Sequence, residues 1–276
     1  MIYVRAFLLM MASILSVGSL QGQFADDIRS GRPGQAAGAF GVGDQVLQFQ
    51  LGAVYENLIL PSDDASITNY TAVVRYGITR HLEAGLAIGY RRNDFNSGQV
   101  LDGLSTFQAG LRYNLYEGSG AIPSIGVQAR ATLPFTTGDF ERDRVGVTSL
   151  LALGSAMSDR TSLFLNLIAN YPGGDERINY SYALGVGQSL SERWSAYVEV
   201  YGSLSDGITD AYNGGVAFLV SPDVQLDLSV GVTTDQDITT IDGPRWIDSW
   251  FIDGGVSVRI DWRGDSERRP NQEMGR

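Results

Sequence analysis

The chain has no cysteine and no lysine, and it has a single histidine, His81. The absence of cysteine excludes disulfides, thiolate metal sites and a cysteine nucleophile, so stability must come from packing and backbone hydrogen bonds. With one histidine, a zinc site would need carboxylates alone, which is atypical. All 20 basic residues are arginines and 31 residues are acidic, and the net charge of -11 argues against nucleic acid as a partner.

Long apolar runs are also scarce, and the one that exists lies at the start of the chain. Residues 6–17 form an apolar run that follows Arg5 and precedes small and polar residues. This layout is typical of a secretory signal peptide, because a membrane-spanning helix needs roughly 20 apolar residues. We predict a signal peptide over residues 1–22, followed by a periplasmic N-terminal segment over residues 23–44. An uncleaved N-terminal anchor is the less favoured alternative.

What the rest of the chain does contain is strict alternation of apolar and polar residues. In Leu47, Phe49 and Leu51 the odd positions are apolar, whereas Gln48 and Gln50 occupy the even positions. Successive side chains of a strand point to opposite faces, so such a segment has one apolar face and one polar face. The pattern predicts twelve strands, near residues 47–55, 68–78, 82–91, 104–115, 124–133, 145–156, 161–171, 179–188, 194–202, 210–220, 225–233 and 249–262.

Alternation of this kind also occurs in soluble β-sandwiches, so other features have to choose between sandwich and barrel. Charged and amide side chains occupy the middle of the polar faces, as they do in a wet barrel interior. Aromatic residues cluster near strand ends, and short and long connections alternate. We therefore predict an all-β fold, an antiparallel up-and-down transmembrane β-barrel of about twelve strands over residues 45–262. A disordered periplasmic tail, residues 263–276, would follow.

The polar side chains on the inward face are the candidate lumen-lining residues. Their structural role would be to pair with one another and fill the barrel, and their functional role would be to set the charge selectivity of a pore. They are Gln50, Glu56, Arg75, Glu83, Arg91, Gln108, Arg112, Gln128, Arg130, Glu199, Asp227 and Arg259.

Residues 30–40 read Ser-Gly-Arg-Pro-Gly-Gln-Ala-Ala-Gly-Ala-Phe, and Gly43 and Phe49-Gln50-Leu51 follow. This stretch resembles the entry motif of a family of outer-membrane transporters named after the meta-cleavage pathway of phenol degradation, whose members typically read Asp-Arg-Pro-Asp-Gln-Thr. Residues 212–231 are similar to the penultimate hairpin of the family. The chain departs from the family pattern at Gly31 and Gly34, where the family usually carries Asp. The resemblance implies an outer-membrane location and passage of small, aromatic molecules. For Arg32 and Pro33, an ordered turn before the first strand is the preferred interpretation over ligand binding.

Residues for chemistry are scarce, and we predict no catalytic, cofactor or metal site. His81 falls in a short turn and no Gly-x-Ser-x-Gly motif is present, which argues against a serine hydrolase. Asp235, Asp237 and Asp242 match only half of a calcium loop.

The predicted function is an outer-membrane channel or transporter for small, hydrophobic or aromatic molecules. The alternatives are a non-conducting structural or adhesive barrel that acts through its loops and, third, a lipid-modifying enzyme. Expected partners are the lipid bilayer, lipopolysaccharide, the barrel-assembly machinery and a small solute.

Overall fold

The computed structural model describes residue 28 and residues 30–59, 64–118, 122–205, 210–234, 239–240, 243–244 and 249–262. Within this part of the chain, twelve long strands alternate with short turns and longer loops. They are β1 (Val46–Leu58), β2 (Ala65–Gly77), β3 (Leu82–Phe95), β4 (Val100–Tyr116), β5 (Ser124–Thr132), β6 (Gly146–Ala156), β7 (Thr161–Tyr171), β8 (Asn179–Ser189), β9 (Trp194–Ser203), β10 (Asp210–Ser221), β11 (Val224–Thr234) and β12 (Ser249–Asp261). All twelve predicted strands are confirmed.

Each strand pairs antiparallel with its neighbours in sequence, and β1 pairs with β12, so the sheet closes into a barrel. The closing seam is fully paired, from Val46 opposite Asp261 to Leu58 opposite Ser249. Closure removes the two sheet edges and gives the backbone groups of the strands partners within the sheet, which a lipid environment requires. The predicted fold class is confirmed. Among the described residues, no helix is long and apolar enough to cross a membrane.

The connections define two rims. The turn rim carries short turns such as 78–81, 157–160, 190–193 and 222–223, and the loop rim carries the longer segments 133–145 and 172–178. The strands predicted near residues 82–91 and 104–115 are longer than expected, because β3 and β4 continue through most of residues 92–103 and only residues 96–99 connect them. Polar contacts extend these strands beyond the apolar band. Arg92 pairs with Asp94 at 2.7 Å, and the hydroxyl of Tyr90 donates to Asp102 at 3.1 Å.

The outer face of the barrel is apolar and exposed. Phe49, Leu51, Leu111 and Val230 are each at least 40% exposed, although their aliphatic and aromatic groups would avoid water. Aromatic pairs lie near both rims: Tyr55 contacts Trp250, and Trp194 contacts Phe218 at a ring distance of 4.7 Å. An apolar band between aromatic girdles is the surface of a barrel that sits in lipid. The protein is therefore an outer-membrane barrel.

Several expectations concern residues outside the described part of the chain. They are the signal peptide of residues 1–22, the tail of residues 263–276, and the half calcium loop of Asp235, Asp237 and Asp242.

Candidate functional site in the barrel interior

The inward face of the sheet carries the polar residues. All twelve candidate lumen-lining residues occupy strand positions of inward parity, the face on which the fully buried Gln48, Asn166 and Ser257 lie. Gln50, Arg75, Glu83, Arg112, Glu199 and Asp227 are buried; Glu56, Arg91, Gln108, Gln128, Arg130 and Arg259 are half-buried. Their role in selecting solutes stays a prediction.

A segment that precedes β1 occupies the interior as well. We call residues 30–44 the belt, because they follow the inner wall around nearly a full turn. Contacts with the belt come in order from β12, β11, β9, β7, β5 and β4, β3 and β2. Just before the belt, the backbone N–H of Ile28 donates to the carbonyl of Pro222 on the turn rim at 2.8 Å. The sequence predicts a periplasmic location for residues 23–44, whereas the belt lies within the barrel, because side chains of the inward face accept hydrogen bonds from its backbone.

The first half of the belt is bound by carboxylates, which we call the acidic wall: Glu199 on β9, Asp227 on β11 and Asp253 on β12. Arg32 pairs with Asp227 at 3.3 Å and also with Asp253, and the Arg32 carbonyl accepts from Gln225 at 3.0 Å. Its guanidinium lies so close to the seam that a Cβ added at Gly52 or Gly255 would overlap it. Arg32 is thus more than part of a turn: it joins the belt to two strands.

Glu199 holds the belt by its backbone. Its carboxylate accepts from the N–H of Gln35 at 2.5 Å and of Ala36 at 3.2 Å, and Asn213 donates to it at 2.7 Å. Gly34 makes this approach possible, because its φ is +105° and an added Cβ would lie 3.2 Å from the Glu199 carboxylate. The departure from the family pattern at residue 34 therefore has a structural reason, since an aspartate there would face a second carboxylate.

The middle of the belt crosses an amide and an apolar strip. Asn166 is fully buried; its side chain accepts from the N–H of Ala37 at 2.6 Å and donates to the carbonyl of the same residue at 2.9 Å. Ala39 then packs with Leu150 and Ala152 of β6, beside Phe40 and Ile168. This strip gives the interior one apolar side between the charged ones.

The end of the belt meets the basic wall, which we define as Arg75 on β2, Arg112 on β4 and Arg130 on β5. Glu83 forms a two-point ion pair with Arg75, both contacts at 2.8 Å, and accepts from the N–H of Val42 at 2.9 Å. Arg112 donates to the Phe40 carbonyl at 3.2 Å and to Gln128 at 3.3 Å. Glu83 is therefore the carboxylate that lies among these three arginines, and it contacts Arg75 directly.

Arg130 differs from its neighbours. No hydrogen bond or ion pair joins its guanidinium to another of the residues that the structure describes, and its Nε is buried. Three other candidates have partners elsewhere: Arg91 donates to Asn93 and lies over the Phe140 ring, Gln108 donates to Thr132, and Arg259 pairs with Asp223 on the turn rim.

An interior cavity of about 320 Å³ remains between the belt and the wall formed by β7 to β11. Arg32, Pro33 and Ala36 of the belt line one side; Phe164, Tyr197 and Ala217 line the other. Polar residues of the turn rim, including Ser158 and Gln188, border it. Its volume lies at the lower end of the range for small-molecule sites.

Comparison with protein families assigns the chain to one of them. The model of the family described as "Putative MetA-pathway of phenol degradation" matches residues 30–240. The chain belongs to this family. The match begins with the belt, so the segment inside the barrel is included in the region that the phenol-degradation family model covers. No curated protein sequence matches the chain.

Solved structures resemble this member of the family in fold. The crystal structure of the COG4313 outer membrane channel from Pseudomonas putida F1 aligns with a TM-score of 0.62 at 11% identity, covering 83% of this chain and all of that one. The NanC porin aligns with a TM-score of 0.51 at 10% sequence identity, covering 77% of this chain and all of that one. The KdgM porin aligns with a TM-score of 0.50 at 10% sequence identity, covering 76% of this chain and 98% of that one. At these identities the likeness establishes a common barrel fold.

Sequence reasoning missed several residues of the interior, namely Arg32 as an ion-pair partner and Asn114, Asn166, Asn213 and Asp253. A signal was present, because each of the four strand residues is a polar side chain in mid-strand at inward parity. The alternation alone did not reveal that a backbone segment would be their partner.

Proposed function

We propose that the barrel is a passive outer-membrane channel for small molecules of about one-ring size. The observation that carries this proposal is the 320 Å³ cavity between the belt and β7 to β11, bordered by polar residues of the turn rim. The belt narrows the interior, so large hydrophilic solutes would be excluded. Apolar residues that line the cavity, such as Phe164 and Ala217, suit solutes with an apolar body.

Solute entry into proteoliposomes tests this proposal. We expect radiolabelled phenol-sized solutes to enter faster than in protein-free vesicles, and a tetrasaccharide to stay outside. Ala217→Trp would fill the cavity and slow entry, whereas Ala129→Trp, on the outer face, would leave it unchanged. Heat-modifiable gel migration establishes that each variant is folded. If no solute enters with folded wild-type protein, the channel proposal fails.

A second candidate is a non-conducting barrel that acts through its loops. The belt favours it, because hydrogen bonds and ion pairs hold this segment to strands around the inner wall. Absence of both conductance and solute entry, together with a binding activity lost when residues 133–145 are replaced, would support this candidate.

The proposal includes no enzymatic role. His81 is half-buried on the turn rim and its nearest carboxylate, Glu117, is 3.8 Å away, so a base aligned with a serine nucleophile has no support. Lipopolysaccharide is a proposed partner at the loop rim, where Arg144 is exposed, and the barrel-assembly machinery is the proposed insertion partner. Phospholipase assays on the folded protein should give no activity above vesicles alone.

A further inference from the structure

The basic wall holds an uncompensated positive charge in the barrel interior. The charges of Arg75, Arg112, Arg130 and Glu83 lie close enough to act on one another, and Glu83 is the only carboxylate among them. Arg75 occupies Glu83 with both of its contacts. Two positive charges therefore remain on Arg112 and Arg130.

The belt does not compensate this excess. It contributes one carbonyl, that of Phe40, to Arg112, and Arg112 keeps a buried Nε without a hydrogen-bond partner among the described residues. Arg130 is half-buried, and its side chain lies over Gly110, where a Cβ would collide with it. The acidic wall does not neutralise Arg112 and Arg130 either. Its Asp227 and Asp253 pair with Arg32, and its Glu199 accepts hydrogen bonds from the belt backbone.

Beside these two arginines the interior becomes apolar. Gln128 hydrogen-bonds Arg112 and stands directly opposite Leu150 in the sheet, and Leu150 stands opposite Ile168. Phe40 connects the two environments, because its carbonyl accepts from Arg112 and its side chain packs against the apolar strip. A cationic group next to an apolar surface matches a ligand with an anionic head and an apolar body.

We propose that Arg130 and Arg112 form a binding subsite for small apolar monocarboxylates on their passage through the barrel. The carboxylate accepts from the guanidinium of Arg130, for which two-point recognition is the preferred geometry, and the apolar body lies against the half-buried ring of Phe40. This subsite rests on the proposed channel function and defines its solute class as organic anions.

Equilibrium dialysis with purified, folded protein in detergent tests the subsite, with protein-free micelles as the blank. The probes are benzoate, benzyl alcohol and acetate. Benzoate should bind more tightly than benzyl alcohol, which lacks the charge, and more tightly than acetate, which lacks the apolar body. Arg130→Gln should weaken benzoate binding about tenfold, the loss of one charge-assisted hydrogen bond. The benzoate affinity of Arg130→Lys should lie between those of the wild type and Arg130→Gln, because lysine keeps the positive charge but lacks the planar guanidinium that binds a carboxylate at two points.

Arg92→Gln is the matched control, since Arg92 is an exposed arginine on β3 that pairs with Asp94 at the loop rim. Equal benzoate binding by Arg130→Gln and Arg92→Gln would overturn the subsite, as would equal binding of benzoate and benzyl alcohol by the wild type. Equal binding of acetate and benzoate would overturn the apolar half of it. Solute entry into proteoliposomes is measured separately, so bound benzoate without any solute entry would refute the channel and support the subsite.

Discussion

The acidic wall and the basic wall belong to one interior, yet the belt satisfies only the first. On the acidic wall, Arg32 reaches Asp227 and Asp253, and backbone N–H groups reach Glu199. On the basic wall, the belt gives one carbonyl to Arg112 and one N–H to Glu83, and Arg130 is left without a bond among the described residues. The acidic wall thus has a structural task, whereas the basic wall keeps charge available for the anionic solute that we propose.

The largest expected effect on stability comes from removing Glu83, the carboxylate that pairs with the basic wall. Glu83→Ala would remove the carboxylate that forms a two-point ion pair with the buried Arg75, at a cost of about 3–5 kcal/mol in the free energy of unfolding. Urea unfolding in lipid vesicles measures it. Glu56→Ala is the control, because Glu56 is half-buried and forms no ion pair with a described residue. A similar loss in both variants would contradict the assignment of Glu83 as the charge partner of the wall.

The acidic wall is broken by Arg32→Met, which would leave Asp227 and Asp253 without a cation and cost about 2–4 kcal/mol. We also expect the belt to detach. Because the protein has no native cysteine, Ala39→Cys can report on this, and maleimide should label it faster in the Arg32→Met background. Adding Asp253→Asn should recover part of the lost stability. Unchanged labelling would mean that Arg32 does not anchor the belt.

One substitution made on both sides sharpens the comparison. Gly34→Asp would place a carboxylate beside Glu199 at a positive φ, which costs about 1–3 kcal/mol. Gly31→Asp should be neutral or stabilising, because a Cβ at residue 31 would lie 3.7 Å from a guanidinium nitrogen of Arg75. Paired urea titrations give the two values. Equal costs would show that the charge of the nearby wall does not decide the outcome.

The smallest effect on stability is expected for Arg130→Glu, below about 0.5 kcal/mol, since no bond to a described residue is lost. Its effect on conduction should be visible, with the reversal potential in planar bilayers shifting toward cation selectivity. The single change is preferable to a triple exchange that includes Arg75 and Arg112, because those two also hold Glu83 and the belt. Unchanged selectivity in a conducting variant would exclude Arg130 from the path.

The alternation of apolar and polar residues predicted the strand number and the face of each residue, because period two determines which side chains share a surface. Arg75, Glu83 and Glu199 are inward for that reason. The alternation did not predict how far β3 and β4 extend at the loop rim, because Arg92 and Asp94 place charged side chains on the face that is apolar elsewhere in β3. Their ion pair stabilises strand beyond the apolar band.

The position of the belt inside the barrel could not be predicted from the sequence pattern, and the physical reason is different. Residues such as Ala36, Ala37 and Val42 bind through their backbone N–H groups, which every residue except proline possesses, so no residue type marks the interaction. The cavity beside the turn rim likewise depends on the distance between the belt and β7 to β11. The distance between the belt and these strands is not encoded in a local repeat of the sequence.

Several glycines of the inward face lie where the belt passes close to the barrel wall. A Cβ at Gly52 or Gly255 would overlap Arg32, one at Gly126 would overlap Ala39, and one at Gly77 would overlap the carbonyl of Gly43. Wall and belt are therefore tied to change together during evolution. A homologous barrel that carries larger side chains at these positions must route its N-terminal segment along another path, so this set of glycines could sort homologous barrels by the shape of their interior.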